Sequence, residues 1–198
     1  MSRTILSLCD WSGRWSQPYR DAGYNVIQVD KKKDAALDVR LIEKLNTRVH
    51  GILMAPPCTE FAVSGARHWK GKEENTPEKL TNNIALVDAC LRAALIYRPD
   101  WWVLENPVGR LKRYIGAAEY WFDPCEYAGW LPKDEQYDEQ YTKRTGLWGS
   151  FTIPEKKDLP SVQGSKMHAK YGGKSERTKE LRSMTPRGFA LAFFNANK

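Results

Sequence analysis

The segment that decides the fold is GILMAPPCTEFAVSG, residues Gly51–Gly65. It begins with a short apolar run that is typical of a buried strand. Pro56 and Pro57 then end the strand and fix the direction of the chain, and Cys58 follows them. A cysteine with a purely structural role is expected inside the apolar run, whereas this thiol lies beyond it. The segment therefore predicts a strand whose carboxyl end presents a thiol.

Strand-length apolar runs alternate with helical patterns on both sides of this segment. The predicted strands are Thr4–Cys9, Asn25–Val29, Gly51–Ala55, Trp101–Leu104 and Thr145–Phe151. Helical patterns cover Trp15–Ala22 and Thr76–Tyr97, and the second opens with a Thr-Pro-Glu start signal. Crossovers of this length predict an α/β fold with a mostly parallel sheet and helices on both faces.

Polar groups follow four of the predicted strands, namely Asp10, Asp30, Cys58 and Glu105. In open parallel sheets, ligands bind beyond the carboxyl ends of the strands. We therefore expect these four side chains at one edge of the sheet. Each has an ordinary structural alternative when it is considered alone. A lone cysteine is most often buried, an Asp caps a turn, and Glu105 could pair with Arg110.

The thiol and the glutamate suggest chemistry if they are exposed to a substrate. Cys58 needs a nearby positive charge or a lowered pKa to attack as a nucleophile, and Arg67, His68 and Lys70 are its basic neighbours in sequence. A partly desolvated Glu105 would have a raised pKa and could act as a general acid. The segment after Cys58 is polar and contains glycine, so it could close over a substrate.

The first loop limits the choice of cofactor. Asp30 ends the second predicted strand, where a carboxylate can accept hydrogen bonds from ribose hydroxyls. The loop CDWSGRWS contains only Gly13, so the glycine-rich phosphate cradle of dinucleotide-binding proteins is absent. NAD is therefore disfavoured. A nucleoside cofactor without phosphates, such as S-adenosylmethionine, demands less of this loop.

Length, charge and cysteine spacing indicate how many domains the chain forms, what kind of partner it binds and which compartment suits it. The chain has 198 residues, enough for one domain, and a net charge of +7 that suits a polyanionic partner. Its four cysteines lie far apart, which predicts neither a metal site nor a disulfide framework, and a reducing cytoplasm fits. The N-terminus lacks a signal-peptide pattern, and no apolar run approaches the roughly 20 residues that cross a bilayer.

Five segments together resemble the DNA cytosine-5 methyltransferases, especially the short members found in phage genomes. In chain order they are LSLCDWSGRWSQPYRDAG (6–23), PPCTEF (56–61), ENP (105–107), QYTKR (140–144) and RSMTPRGFA (182–190). The resemblance covers nearly the whole chain. It implies a Rossmann-like class I methyltransferase fold and a single catalytic domain over residues 1–198. It also implies a monomer in the cytoplasm of a bacterial or phage-infected cell.

The resemblance further implies a role for each matched residue. Cys58 would add to C6 of cytosine, Glu105 would hold or protonate N3, and Arg144 would contact O2. The residues implied for binding S-adenosylmethionine are Cys9, Asp10, Gly13, Asp30, Asp38, Val39 and Pro56. The residues implied for binding double-stranded DNA are Ser64, Arg67, Asn106, Gln140, Arg182 and Arg187.

Residues 150–181 stand where full-length members carry a sizeable target-recognition region. We predict a reduced recognition segment or surface loop here, and hence a short target or relaxed specificity. Basic residues that could contact phosphates are Lys156, Lys157, Lys166, Lys170, Lys174, Arg177 and Lys179. For any one of them, a solvated position without a ligand is the simpler interpretation.

Two other functions stay open. In one, the same chemistry acts on RNA or a free cytidine nucleotide, which the small recognition segment favours and the basic charge disfavours for a monomeric substrate. In the other, the protein is a catalytically inactive DNA-binding module or an accessory to a partner, which the unusual first motif favours. The presence of Cys58, Glu105 and Arg144 argues against this second alternative.

Overall fold

A single six-stranded sheet forms the centre of the structure, a computed structural model that describes residues 2–166, 169, 171 and 175–198. The strands are β1 (Thr4–Leu8), β2 (Asn25–Val29), β3 (Val49–Met54), β4 (Trp101–Pro107), β5 (Tyr120–Phe122) and β6 (Thr145–Ser150). Their order in the sheet is β2-β1-β3-β4-β6-β5. The first four are parallel, and β6 runs antiparallel to β4 and β5. The α/β prediction is confirmed.

The helices of the described residues are α1 (Gln17–Asp21), α2 (Trp69–Asn75), α3 (Pro77–Tyr97), α4 (Lys112–Ile115), α5 (Lys133–Gln136), α6 (Glu176–Ser183) and α7 (Arg187–Ala196). The predicted long helix is confirmed as α3, with Thr76 at its N-cap and Pro77 in its first turn. The shorter predicted helix extends only over α1. Short 3₁₀ turns at Val39–Leu41 and Val63–His68 follow β2 and β3 in the chain.

Both faces of the sheet are covered, because successive strand residues point to opposite sides. Leu6, Ile52 and Leu104 belong to one core cluster, in which α3 contributes Val87 and Cys90. The neighbouring residues Ile5, Leu53 and Val103 belong to the other cluster. The remaining large side chains of that second cluster are Trp15, Tyr19, Trp101, Phe122, Tyr127, Leu147, Phe189 and Phe193. The sheet thus has helices on both faces, as predicted.

Strand β4 is longer than the sequence predicts. The apolar run ends at Leu104, but β4 continues to Pro107 because β6 pairs with it from the opposite direction. Glu105 lies opposite Leu147, and Asn106 lies opposite Gly146. Glu105 and Asn106 therefore lie in a strand that is paired with β6, and they do not lie in a loop.

The segment predicted as a surface loop contains a helix. α6 covers Glu176–Ser183, and the Ser175 side chain caps it by accepting a hydrogen bond from the Thr178 amide at 3.2 Å. Before it, the Lys157 and Leu159 amides donate to carbonyls of the Pro124–Trp130 turn at 3.1 and 2.9 Å. Lys170 and Lys174 lie outside the described residues. In the part of the chain that is described, no helix is long and apolar enough to cross a membrane.

Candidate active site

The carboxyl ends of β1, β3 and β4 meet at one edge of the sheet, as the sequence predicts. Asp10 follows β1, Cys58 follows β3, and Glu105 lies near the end of β4. Asn106 connects two of these elements, since its Nδ2 donates to the Pro56 carbonyl at 3.0 Å. The turn that carries Cys58 is thereby tied to the strand that carries Glu105.

Cys58 and Glu105 share a charged neighbour, Lys143, which precedes β6. Lys143 Nζ lies 3.8 Å from Glu105 Oε1, and the two side chains are only 7% and 11% exposed. Burial raises the pKa of the Cys58 thiol, the Lys143 ammonium lowers it, and the Glu105 carboxylate raises it. The structure therefore gathers a thiol, a carboxylate and an ammonium from three distant parts of the chain.

Arg144, which the sequence places in the catalytic set, lies outside this group of three. Its side chain is 48% exposed, and its Nη1 is 3.5 Å from Asp123 Oδ2. The Lys143 amide donates to the other oxygen of Asp123 at 2.8 Å. The motif match misses Lys143, and the sequence offers only one signal for it, namely a second basic residue beside Arg144. Of the basic neighbours of Cys58 in sequence, Arg67 is exposed and donates to His68 Nε2 at 3.0 Å. None of Arg67, His68 and Lys70 is among the charges that act on the Cys58 pKa.

A network of buried charges holds the turn after Cys58. The Phe61 and Ala62 amides donate to the Cys58 carbonyl at 2.9 and 2.8 Å. Arg110 is buried; its Nε donates to the Glu60 carbonyl at 2.7 Å, and its Nη1 pairs with Glu73. The suggested pair between Glu105 and Arg110 is therefore wrong: Arg110 orders the turn, and Glu105 pairs with Lys143.

Gly109 makes this arrangement possible by its close approach to the turn. A Cβ at this position would lie 1.9 Å from the Phe61 carbonyl oxygen, which is backbone and cannot easily move. We predict that Gly109→Ala lowers the free energy of unfolding by about 2 kcal/mol and slows alkylation or substrate attack at Cys58. Urea unfolding measures the first effect. Gly71→Ala is the matched control, because a Cβ there meets nothing within 4 Å; equal stability of the two variants would contradict the prediction.

The first loop is organised by Asp10. Its Oδ2 accepts hydrogen bonds from Ser7 Oγ at 3.0 Å and from the Ser16 amide and hydroxyl at 3.2 and 3.0 Å. Burial raises the pKa of Asp10, and the hydrogen bonds from Ser16 and Ser7 oppose that rise. Cys9 and Gly13 turn the chain with φ angles of +58° and +68°. The Asp10 carboxylate therefore shapes the loop, and its role toward a cofactor stays a prediction.

The remaining predicted cofactor residues differ in what they can offer. Asp30 is half-buried, and one of its oxygens accepts from the Lys32 amide at 2.8 Å. Asp38 is committed to Arg40, which approaches it at 2.6 Å and holds the pKa of that carboxyl well below its usual range. Val39 is buried in the core. The Asp30 carboxylate is thus placed to accept hydrogen bonds from a cofactor, and the roles of Asp38 and Val39 toward a cofactor stay predictions.

Asn106 supplies a further acceptor. Its Oδ1 is buried and has no hydrogen-bond partner among the described residues. A buried amide oxygen without a partner is costly, and an N–H or O–H donor of a bound molecule would satisfy it. Together with the Asp30 carboxylate, this atom fits a nucleoside cofactor that carries hydroxyl and amino donors. These two acceptors suit the hydroxyl and amino donors of S-adenosylmethionine, and they offer no phosphate cradle.

Four of the six predicted DNA-binding residues lie in two groups, and Asn106 lies apart from them in β4. Ser64 and Arg67 are exposed on the Val63–His68 turn that follows Cys58. Arg187, at the start of α7, pairs with Glu135, and Arg182 on α6 donates to the Tyr171 carbonyl at 2.8 Å. Gln140 is half-buried.

A polar cleft of about 180 Å³ lies beside this second group. Its polar lining includes Arg14, Glu139, Tyr141, Lys166 and Arg187. Lys166, expected on the surface, is instead buried and donates to the Tyr141 hydroxyl at 2.9 Å. Burial raises the pKa of Tyr141, and the charges of Glu139 and Glu105 raise it further.

Several predicted phosphate-binding lysines have partners within the chain. Lys156 pairs with Glu126 at 3.1 Å, and Lys157 lies over the Trp130 ring at 3.8 Å. Lys179 pairs with Glu176 on α6. These contacts are at the surface, where a phosphate can replace them at small cost. Among the described residues, no group of three or more His, Cys, Asp or Glu side chains could hold a metal ion.

Comparison with known proteins supports the fold. No family model and no curated protein matches the chain. A crystal structure described as that of a candidate DNA modification methyltransferase encoded within an E. coli prophage matches with a TM-score of 0.51 and 15% sequence identity. The match covers 88% of this chain and 56% of that one. The chain thus has the fold of a methyltransferase structure, over about half the length of this neighbour.

Proposed function

We propose that this protein is an S-adenosylmethionine-dependent methyltransferase that methylates C5 of cytosine in double-stranded DNA. The observation that carries the proposal is the meeting of Cys58 and Glu105 at the carboxyl edge of a methyltransferase-type sheet. A thiol and a carboxylate at this edge are the groups that addition to cytosine requires. The net charge of +7 supports a nucleic-acid substrate.

Cys58 and Glu105 have complementary roles on the cytosine ring, one as nucleophile at C6 and the other as proton donor at N3. Cytosine C5 is a poor nucleophile until the Cys58 thiolate bonds to C6, which moves electron density to C5 and N3. Glu105 in its protonated form donates that proton to N3 and so stabilises the charge of the adduct. Once C5 carries the methyl group, the C5 proton passes to a water molecule and the C5=C6 double bond re-forms as the S–C6 bond breaks. The electron pair of that bond returns to the Cys58 sulfur, and N3 returns its proton to Glu105. The base must leave the stack to reach these groups.

The chain's own residues also define where a cofactor is held. S-adenosylmethionine supplies an electrophilic methyl group when it is bound. The Asp30 carboxylate would accept hydrogen bonds from the ribose hydroxyls, and the unpartnered Asn106 Oδ1 would accept one from an amino group. The loop from Cys9 to Gly13 would lie against the nucleoside, with Asp10 fixing its shape.

The test is mass spectrometry of nucleosides after incubation with S-adenosylmethionine. Mixed-sequence duplex DNA, RNA and deoxycytidine monophosphate are the three substrates, and Cys58→Ala is the control. We expect 5-methylcytosine in DNA alone and at least a thousandfold less in the variant, because the addition step is lost.

The other outcomes decide between the alternatives. A modified base in RNA or in the free nucleotide would replace DNA as the substrate. Methylation that persists in Cys58→Ala would reject the covalent route. No modified base in any substrate, together with no binding of S-adenosylmethionine by calorimetry, would favour the inactive DNA-binding module.

A further inference from the structure

We propose that Lys143 is the cation that activates the Cys58 thiol, with Glu105 as the anion that opposes it. This inference rests on the proposed function, because the substrate it names is the cytosine base. Its test uses no substrate and does not depend on that function. It assigns to Lys143 a role that the motif resemblance gives to no residue. Lys143 acts through Cys58 and is therefore a positioning and activating residue.

The first step of the argument is the burial of the ammonium. The Lys143 side chain is 7% exposed, and a lysine is rarely buried to this degree without a partner. Its nearest carboxylate oxygen, Glu105 Oε1, lies at 3.8 Å, which is beyond hydrogen-bonding distance. Among the described residues, Lys143 Nζ makes no hydrogen bond, and Glu105 is its ion-pair partner. The Lys143 ammonium is thus buried in the site without a short hydrogen bond to Glu105.

The second step is the position of Lys143 between structural anchors. Its amide donates to Asp123 Oδ1 at 2.8 Å, and its carbonyl accepts from the Thr145 hydroxyl at 2.7 Å. The backbone is therefore fixed on both sides. Arg144 points away toward Asp123 Oδ2 at 3.5 Å. Of these two adjacent cations, only Lys143 is among the charges that act on the pKa of the Cys58 thiol.

The third step is electrostatic. Burial alone raises the pKa of the Cys58 thiol and would leave it protonated and unreactive. The Lys143 ammonium and the Glu105 carboxylate act on that pKa in opposite directions. A substrate that engages Glu105 through hydrogen bonds removes part of the opposing charge, so that Lys143 then favours the thiolate. The site would become nucleophilic mainly when a base is in place.

The test measures the thiol directly, in the full-length protein without substrate. Alkylation by iodoacetamide is followed from pH 6.5 to 10.5, and the Cys58 peptide is quantified by mass spectrometry. We expect Lys143→Met to raise the midpoint of the profile by about 1 pH unit and Glu105→Gln to lower it. Lys143→Arg should restore most of the shift. The Cys9 peptide provides an internal reference in every sample.

Arg144→Gln is the matched control, because it removes the adjacent cation and should leave the midpoint unchanged. A purely structural role for Lys143 would instead alter alkylation at all pH values without moving the midpoint. Equal midpoints for wild type and Lys143→Met, or a shift in Arg144→Gln alone, would overturn the proposal. The result is independent of methylation, so failure of the proposed function and failure of this inference are distinguishable.

Discussion

Replacing Glu105 with glutamine is expected to lower the rate of 5-methylcytosine formation about a thousandfold. Glutamine keeps the shape of the side chain but cannot carry a proton to N3. The addition of Cys58 to C6 then produces negative charge that nothing neutralises. Single-turnover formation of 5-methylcytosine in duplex DNA measures the effect, since it reports chemistry without product release.

The same substitution leaves the Lys143 ammonium without its carboxylate. Breaking a buried ion pair by removing one partner costs about 3 kcal/mol, so urea unfolding of Glu105→Gln must accompany the rate measurement. Glu78→Gln, at the exposed start of α3, is the matched control for both assays. A variant that is folded and retains more than a tenth of the wild-type rate would remove Glu105 from the mechanism.

The central fold could be predicted because its signal is local. Each parallel strand is a short, largely apolar run, and β1, β3 and β4 are buried on both faces. β5 was missed because it is only three residues long and pairs only with β6, far from it in sequence. The extension of β4 was missed for the same reason: whether Glu105 lies in a strand depends on a partner more than 40 residues away.

The site illustrates a different limit. Spacing correctly brought Cys58 and Glu105 to one edge, because carboxyl ends of neighbouring parallel strands must meet there. Spacing could not decide between Lys143 and Arg144, since a shift of one residue reverses the direction of a side chain in an extended segment. Similarly, Asp38 matches a cofactor position in sequence, yet two residues later Arg40 binds its carboxylate. Such pairings depend on three-dimensional contacts that no motif encodes.

The proposed covalent bond between Cys58 and C6 predicts that the protein can be trapped almost completely on a modified substrate. Duplex DNA in which every cytosine is replaced by 5-fluorocytosine should form a denaturation-resistant complex with the protein in the presence of S-adenosylmethionine. The S–C6 and C5–methyl bonds form as usual, but C5 then carries fluorine where the ordinary substrate carries a proton. Fluorine cannot leave as a cation, so the S–C6 bond cannot break. We expect near-stoichiometric trapping, visible as a shifted band on a denaturing gel.

Full replacement of cytosine removes the need to know the recognition sequence, because every site carries the trap. Peptide mass spectrometry should place the link on Cys58, and both Cys58→Ala and unsubstituted DNA should give no complex. Cys9 is the informative alternative: it is half-exposed at the end of β1, so a link there would show that the reactive thiol was misassigned. Active methylation of ordinary DNA without trapping would mean that C5 is modified by a route that forms no bond to the protein, since addition and trapping share the same first step.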